Sequence, residues 1–277
     1  MPNPLLLSVI ALAIASLAPT TAAQNATPAQ RPEVIAAGKA MQQQVIDLRR
    51  HFHQYPELSN REEQTSKRVA EELRKLGLQP RTGIAHHGVT AVIKGGRPGP
   101  RIALRADMDA LPVTERNSLP FASKATSTYR GETVGVMHAC GHDAHTGILL
   151  GVAKALVGMQ DTLPGEVLLV FQPAEEGAPA GEEGGAALML KDGVFRDFTP
   201  EAVFVIRSPV ADAGGRSRTT RIADRLAHRI GWMRTRPQDY PTLDGLRAAL
   251  EAHGLHVDCT PLYGRTPFNN WLIVARR

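Results

Sequence analysis

Between residues 33 and 206, helical patterns alternate with short strands that are apolar almost throughout. The strands are residues 89–94, 101–106, 167–171 and 202–206, and none alternates cleanly between polar and apolar. A strand of that kind is buried on both faces, so its sheet needs helices on both sides. The pattern predicts an α/β fold with a sheet flanked by helices. The helices are expected at 33–54, with Val34, Met41, Val45, Leu48 and Phe52 on one buried face, at about 60–76, at 144–157 and at 185–190. Pro32 opens the first of these, and Gly77 stops the second. Ser59-Asn60-Arg61-Glu62 fits a capping box, a serine followed three residues later by a glutamate.

Three segments at strand ends or helix starts carry residues suited to chemistry. Arg105-Ala106-Asp107-Met108-Asp109 ends a strand with two carboxylates, and strand ends in α/β sheets are where ligands bind. Alone, this pair reads more readily as a solvated turn. His138-Ala139-Cys140-Gly141-His142-Asp143-Ala144-His145 precedes a small, apolar helix. A cysteine and a histidine separated by one glycine can face a single ion, because the glycine allows a tight turn. Asp143 is placed to fix an imidazole from behind. The other reading is a buried thiol beside satisfied histidines. Gln172-Pro173-Ala174-Glu175-Glu176-Gly177 follows another apolar strand. Adjacent carboxylates suit divided labour, one on a metal and one moving protons, or else a surface acidic pair. Glu182 and Glu183 in the following glycine-rich loop read as solvated.

Taken in order, the three segments resemble the dinuclear metallopeptidase family of aminoacylases, hippurate hydrolases and indole-acetyl-amino-acid amidohydrolases. The likeness covers about residues 34–206 and includes His51-Phe52-His53-Gln54-Tyr55-Pro56-Glu57-Leu58 and Gly184-Gly185-Ala186. It implies a zinc-peptidase-like mixed sheet flanked by helices. It implies Cys140, His142 and Glu176 as metal ligands, Glu175 as general base and Asp109 as the acid that orients a ligand. It implies two divalent ions (Zn, Mn or Co) and hydrolysis of an N-acyl amino acid or a peptide-like amide.

The sequence departs from that family at Arg207, which stands at the end of Val203-Phe204-Val205-Ile206 where a ligating histidine is expected. A guanidinium cannot ligate and repels a cation. With the family's lid and dimerisation domain also unmatched, the catalytic fold reads as incomplete. One ion or none is then the expected load, and impaired hydrolysis the expected activity. A non-catalytic hybrid or remnant protein with weak metal binding is the alternative. Residues 207–223 read as a linker. Residues 224–277 read as a basic helix-strand-strand extension that resembles the C-terminal end of a class I methyltransferase. Missing strands are expected to leave an open sheet edge.

Composition narrows the remaining classes. Of 277 residues, 43% are hydrophobic and 21% charged, which argues against disorder. Two cysteines make no disulfide scaffold, and 5% aromatics disfavour stacking on nucleic acid. The net charge of +5 sits in the last quarter, where residues 207–277 carry 12 arginines against 6 acids. An arginine-rich tail docking on an anionic surface is therefore a further alternative. Residues 5–18 are apolar and 21–23 small, so 1–23 is expected to be a cleaved export signal and 24–32 a leader. The mature chain is then periplasmic or secreted, with no stable membrane span.

Overall fold

The computed structural model describes residues 32–207, 247–248, 251–252, 256–261 and 271–276. The expected export signal, most of the linker and much of the basic extension lie outside the described residues. The chain divides into two units, Met1–Gln42 and Gln43–Arg277. The described part of the first is the opening of helix α1, Pro32–Gln54, where Val34 and Ile35 are exposed. Val34 therefore does not join the buried face assigned to it; of that face Leu48 and Phe52 are buried, and Met41 and Val45 half-buried.

The second unit is built around a seven-stranded mixed sheet. In chain order its elements are α2 (Glu63–Lys75), β1 (Arg81–Ile84), β2 (Gly88–Lys94), β3 (Arg97–Asp107), β4 (Thr126–Tyr129), β5 (Glu132–Gly135), α3 (His142–Gly158), β6 (Pro164–Gln172), α4 (Gly185–Lys191), β7 (Ala202–Arg207), β8 (His256–Pro261) and β9 (Trp271–Arg276). The strand order is β1-β2-β6-β3-β7-β9-β8, with β4 and β5 forming a separate hairpin. β6, β3 and β7 run parallel, and the pairs on either side of them are antiparallel.

Strand β6 shows why residues 167–171 are apolar at every position. Val167, Leu169 and Phe171 pack with Leu48, Phe52, Val69, Leu73 and Leu150 from α1, α2 and α3. Leu168 and Val170 belong to a second cluster with Met189, Val194 and Phe198, on and after α4. Neighbouring strand residues point to opposite faces, so the two clusters lie on the two sides of the sheet. The expected mixed sheet flanked by helices is the fold observed.

Three local expectations change. The capping box at Ser59–Glu62 does not form. Helix α2 starts one residue beyond Glu62, whose side chain makes no cap bond. Instead Glu57 accepts the backbone N–H groups of Gln64 at 3.1 Å and Thr65 at 2.8 Å, and the Thr65 hydroxyl at 2.8 Å. Its carboxylate satisfies two of the four orphan donors at the helix start. Ser59 and Glu62 are both buried and both turned toward other partners, described below. The β4–β5 hairpin and β1 are additional to the strands read from the sequence. Finally, the outer edge of β7 is not left open: β9 pairs with it antiparallel along its whole length, and β8 with β9.

Candidate metal centre and active site

Parallel strands bring their C-terminal ends to one edge of the sheet. Asp107, the last residue of β3, stands opposite Gln172, the last of β6, and the Met108 N–H donates to the Gln172 carbonyl at 3.0 Å. The segments carrying Asp109 and Glu175-Glu176 therefore leave the sheet side by side. The first turn of α3 closes the site, with the Thr146 hydroxyl donating to the Asp107 carbonyl at 2.8 Å. Just before that helix, Gly141 has φ +99°, a left-handed backbone that suits glycine. This is the tight turn expected between Cys140 and His142.

Cys140, His142 and Glu176 offer ligand atoms that all lie within 4.8 Å of one another. Nδ1 of His142 is 2.8 Å from the Asp109 carbonyl oxygen and 3.3 Å from its carboxylate. That places the proton on Nδ1 and leaves Nε2 as the free donor atom, the usual way a ligating histidine is fixed. Nε2 faces three carboxylates: Asp107 at 3.6 Å, Glu175 at 3.7 Å and Glu176 at 3.7 Å. Asp109 organises the whole group. Its Oδ2 accepts the Ser59 hydroxyl at 2.7 Å and the Glu176 N–H at 2.9 Å. The structure thus brings together all five residues singled out from the sequence, Asp109, Cys140, His142, Glu175 and Glu176.

Burial and the crowding of carboxylates around one imidazole set the electrostatics of the group. Burial pushes the Glu176 carboxyl up to about 7 against the pull of His142, and Asp109 and Glu175 push it further. Desolvation pushes the Cys140 thiol up to about 11. Burial opposes a charge on His142, but Asp109, Cys140 and Asp107 raise it well above the usual imidazole value. Oε1 of Glu176 and Oδ1 of Asp109 are buried without a hydrogen-bond partner. Unpartnered buried oxygens are costly, and a cation among them removes the cost. One thiol, one imidazole and one carboxylate also make a donor set that suits Zn, Mn or Co. The residues present therefore fit a divalent ion.

Several residues around the site had no role assigned from the sequence. Asp107, His142 and His145 form a second close group, with His145 Nδ1 at 2.6 Å from the Asp107 carboxylate. Burial alone would raise the Asp107 carboxyl, but His145, His142 and Arg105 hold it below the usual range. Glu62 is fully buried, and its Oε1 accepts the Ala174 N–H at 2.7 Å. Ala174 has φ +50°, so Glu62 fixes the strained turn from which Glu175 and Glu176 hang. Burial, then Asp109, pushes the Glu62 carboxyl up to about 8. His138 is buried with both ring nitrogens unpartnered, and burial lowers it to about 4. Asp143 does fix an imidazole, but that of His53, at 2.8 Å, with Arg49 at 3.2 Å on the same oxygen. The other ring nitrogen of His53 is 2.9 Å from Glu115, and the bond to Asp143 raises the His53 pKa above its ordinary value. Glu182 is not merely solvated: it pairs with Arg61 at 2.6 Å.

The C-terminal end of β7 lies at the same sheet edge. β7 and β3 pair up to Arg105↔Val205, so Arg207 falls level with Asp107. Its backbone pairs with Trp271 of β9.

Comparison with known proteins gives a consistent result. A family model described as Peptidase family M20/M25/M40 matches residues 103–269. Thermostable carboxypeptidase 1 of Saccharolobus solfataricus is 50% identical over 152 residues, which are 54% of this chain and 36% of that protein. N-acetyl-L-cysteine deacetylase of Bacillus subtilis is 48% identical over 153 residues, 55% of this chain and 34% of that protein. The matched stretch thus spans about a third of the length of these relatives. The Bacillus subtilis YXEP protein, a dinuclear metal-binding peptidase of the M20 family, superimposes with a TM-score of 0.53 and 29% identity over 86% of this chain and 64% of its own. With the family model covering more than half of the residues, and with a Cys-His-Glu group at the expected sheet edge, the chain belongs to peptidase family M20/M25/M40.

Proposed function

We propose that this chain is a metal-dependent amidohydrolase that cleaves N-acyl amino acids or related peptide-like amides to a carboxylate and an amine. The observation that carries the reading is the setting of His142. Its Nδ1 is held by Asp109 while its Nε2 faces Asp107, Glu175 and Glu176. In this reading Cys140, His142 and Glu176 hold a divalent ion, Zn, Mn or Co. Such an ion polarises the scissile carbonyl and makes water more acidic. Glu175, which shares the cleft with these ligands, takes the proton of the attacking water and returns it to the leaving nitrogen. Asp109 is a positioning residue, joining His142, Ser59 and the Glu176 backbone. The water oxygen ends on the acyl carbon, the C–N bond breaks, and both protons of the water are accounted for in the acid and the amine. Two ions, as in the YXEP protein, would engage Asp107 and His145 as well.

One observation favours a second reading, a chain that holds an ion weakly and hydrolyses poorly or not at all. Arg207 occupies the end of β7, level with Asp107, where the family resemblance implies a histidine ligand. An arginine cannot ligate, so a second cation would be held by one ligand fewer. Export through a cleaved segment at 1–23 is part of the same proposal; no helix among the described residues is long and apolar enough to cross a membrane.

The test is release of free amino acid from an N-acetyl amino acid by the chain loaded with Zn, Mn or Co. Glu175→Gln is expected to lower the rate by about 100-fold or more while leaving metal content intact. An unchanged rate in that variant contradicts the role of Glu175. No release by the parent chain with any of the three metals favours the second reading.

A further inference from the structure

A cavity of about 260 Å³ lies against the candidate active site. Its walls include Leu58, Leu111, Pro112 and Tyr129, and its polar lining includes Glu176 and Arg130. It is therefore apolar along its sides, touches a metal-ligand candidate, and carries an arginine from the β4–β5 hairpin.

Arg61 also lines this cavity, but its charge is already used. Both its terminal nitrogens bond to the Glu182 carboxylate, at 2.6 and 3.0 Å. Arg130 differs. Its guanidinium carbon sits 5.2 Å from the centre of the Tyr129 ring. An aromatic face orients a guanidinium without neutralising it.

The backbone gives a second, independent observation. Tyr129 pairs with Glu132, so Arg130 and Gly131 form a two-residue turn. Both have positive φ, +54° and +81°. Asparagine followed by glycine fits such a turn with less strain than arginine. The residue that would best serve the turn is absent, and a long cation stands in its place, lining the cavity. Strain held at a site wall points to a use for the side chain.

We propose that this cavity takes the amino-acid half of the substrate, with Arg130 reading its free carboxylate; the inference rests on the amidohydrolase reading. An N-acyl amino acid carries one anionic group at neutral pH, and Arg130 is the cation available to it in this cavity. The apolar walls then meet the amino-acid side chain, while the amide bond lies toward Glu176. Guanidinium and carboxylate match in a planar, two-point contact that an ammonium cannot copy fully.

The experiment compares N-acetyl-L-leucine with N-acetyl-L-leucinamide, which lacks the carboxylate. Binding is measured calorimetrically on the Zn-loaded chain in the Glu175→Gln background, where neither compound is consumed. The background protein is expected to prefer the acid by about tenfold or more, the size of a charge-assisted contact. Adding Arg130→Asn is expected to abolish the preference by weakening the acid alone, with an unfolding midpoint equal to or above that of the background. Arg130→Lys is expected to keep part of it. Equal binding of acid and amide before the change, or no binding of either, overturns the inference. So does an Arg130→Asn variant that loses both compounds equally or neither. Hydrolysis by the parent chain is scored separately. A preference for the acid that depends on Arg130, without hydrolysis, contradicts the amidohydrolase reading and leaves the carboxylate site standing. Hydrolysis with a preference untouched by Arg130→Asn does the reverse.

Discussion

At the scale of single residues the site is a set of carboxylates with unequal jobs, and burial separates them. Burial works against the charge on Asp109, but His142 beside it, the Ser59 hydroxyl and the Glu176 N–H hold its carboxyl below the usual range. Glu62, close by and buried, has no such donors beyond backbone N–H groups and is pushed up to about 8. This gives a signed pH dependence. In the unfolded chain a glutamate loses its proton near 4.5, whereas folded Glu62 keeps it to about 8. Between those values the folded state binds more protons, so this group's contribution to stability falls as pH rises. Glu62→Gln, which cannot ionise, is therefore expected to gain stability relative to the parent from about pH 4.5 to about pH 8. Denaturant midpoints of the metal-free proteins across that window check it, and a difference that stays flat contradicts the assigned burial. Asp109, Cys140, His142, Glu175 and Glu176 were legible because each lies in a short motif with recognisable chemistry. Glu62 was not, because its local sequence spells a helix cap. Its actual partner, the Ala174 N–H, is 112 positions away in the chain. Asp107 and His145 stood inside the quoted motifs, but only the fold shows that they face each other.

At the scale of elements, parallel strands β3 and β6 supply the platform, the turn into α3 brings Cys140 and His142, and the segment after β6 brings Glu176. The apolar runs forecast these strands because each must be buried on both faces, as Val167 to Phe171 illustrate. Strands with mixed composition escaped notice. β1, Arg81-Thr82-Gly83-Ile84, has only its last residue buried, so no apolar run marks it. The β4–β5 hairpin is mostly exposed and polar, and its Arg-Gly turn lacks the asparagine that usually announces such a loop. Capping of α2 was placed one motif too late: Ser59 is bonded to Asp109, and the carboxylate that caps is Glu57. Glu57→Ala is accordingly expected to destabilise the chain by about 1 kcal/mol, as loss of a helix-start acceptor does. Ser59→Ala is expected to act on metal affinity instead, since its bond runs to Asp109. A denaturation series on both variants, with metal titrations alongside, separates the two. A destabilisation by Glu57→Ala within error of zero contradicts the cap.

At the scale of the whole molecule, β8 and β9 continue the sheet beyond β7, and the family match crosses residue 207 to reach 269. The sequence suggested an abrupt change at that point from the charge shift, the departure from the family pattern at Arg207 and the methyltransferase-like tail; strand pairing across residue 207 is not visible in any of these. The central claim is that Cys140, His142 and Glu176 hold a divalent ion against the sheet edge. The most direct measurement is the metal content of the purified chain after exposure to Zn and removal of loosely held ions, with His142→Ala measured in parallel. Retention of at least one ion per chain by the parent, lost in His142→Ala, is the predicted result. A parent chain that retains none, or a His142→Ala variant that retains as much as the parent, contradicts it.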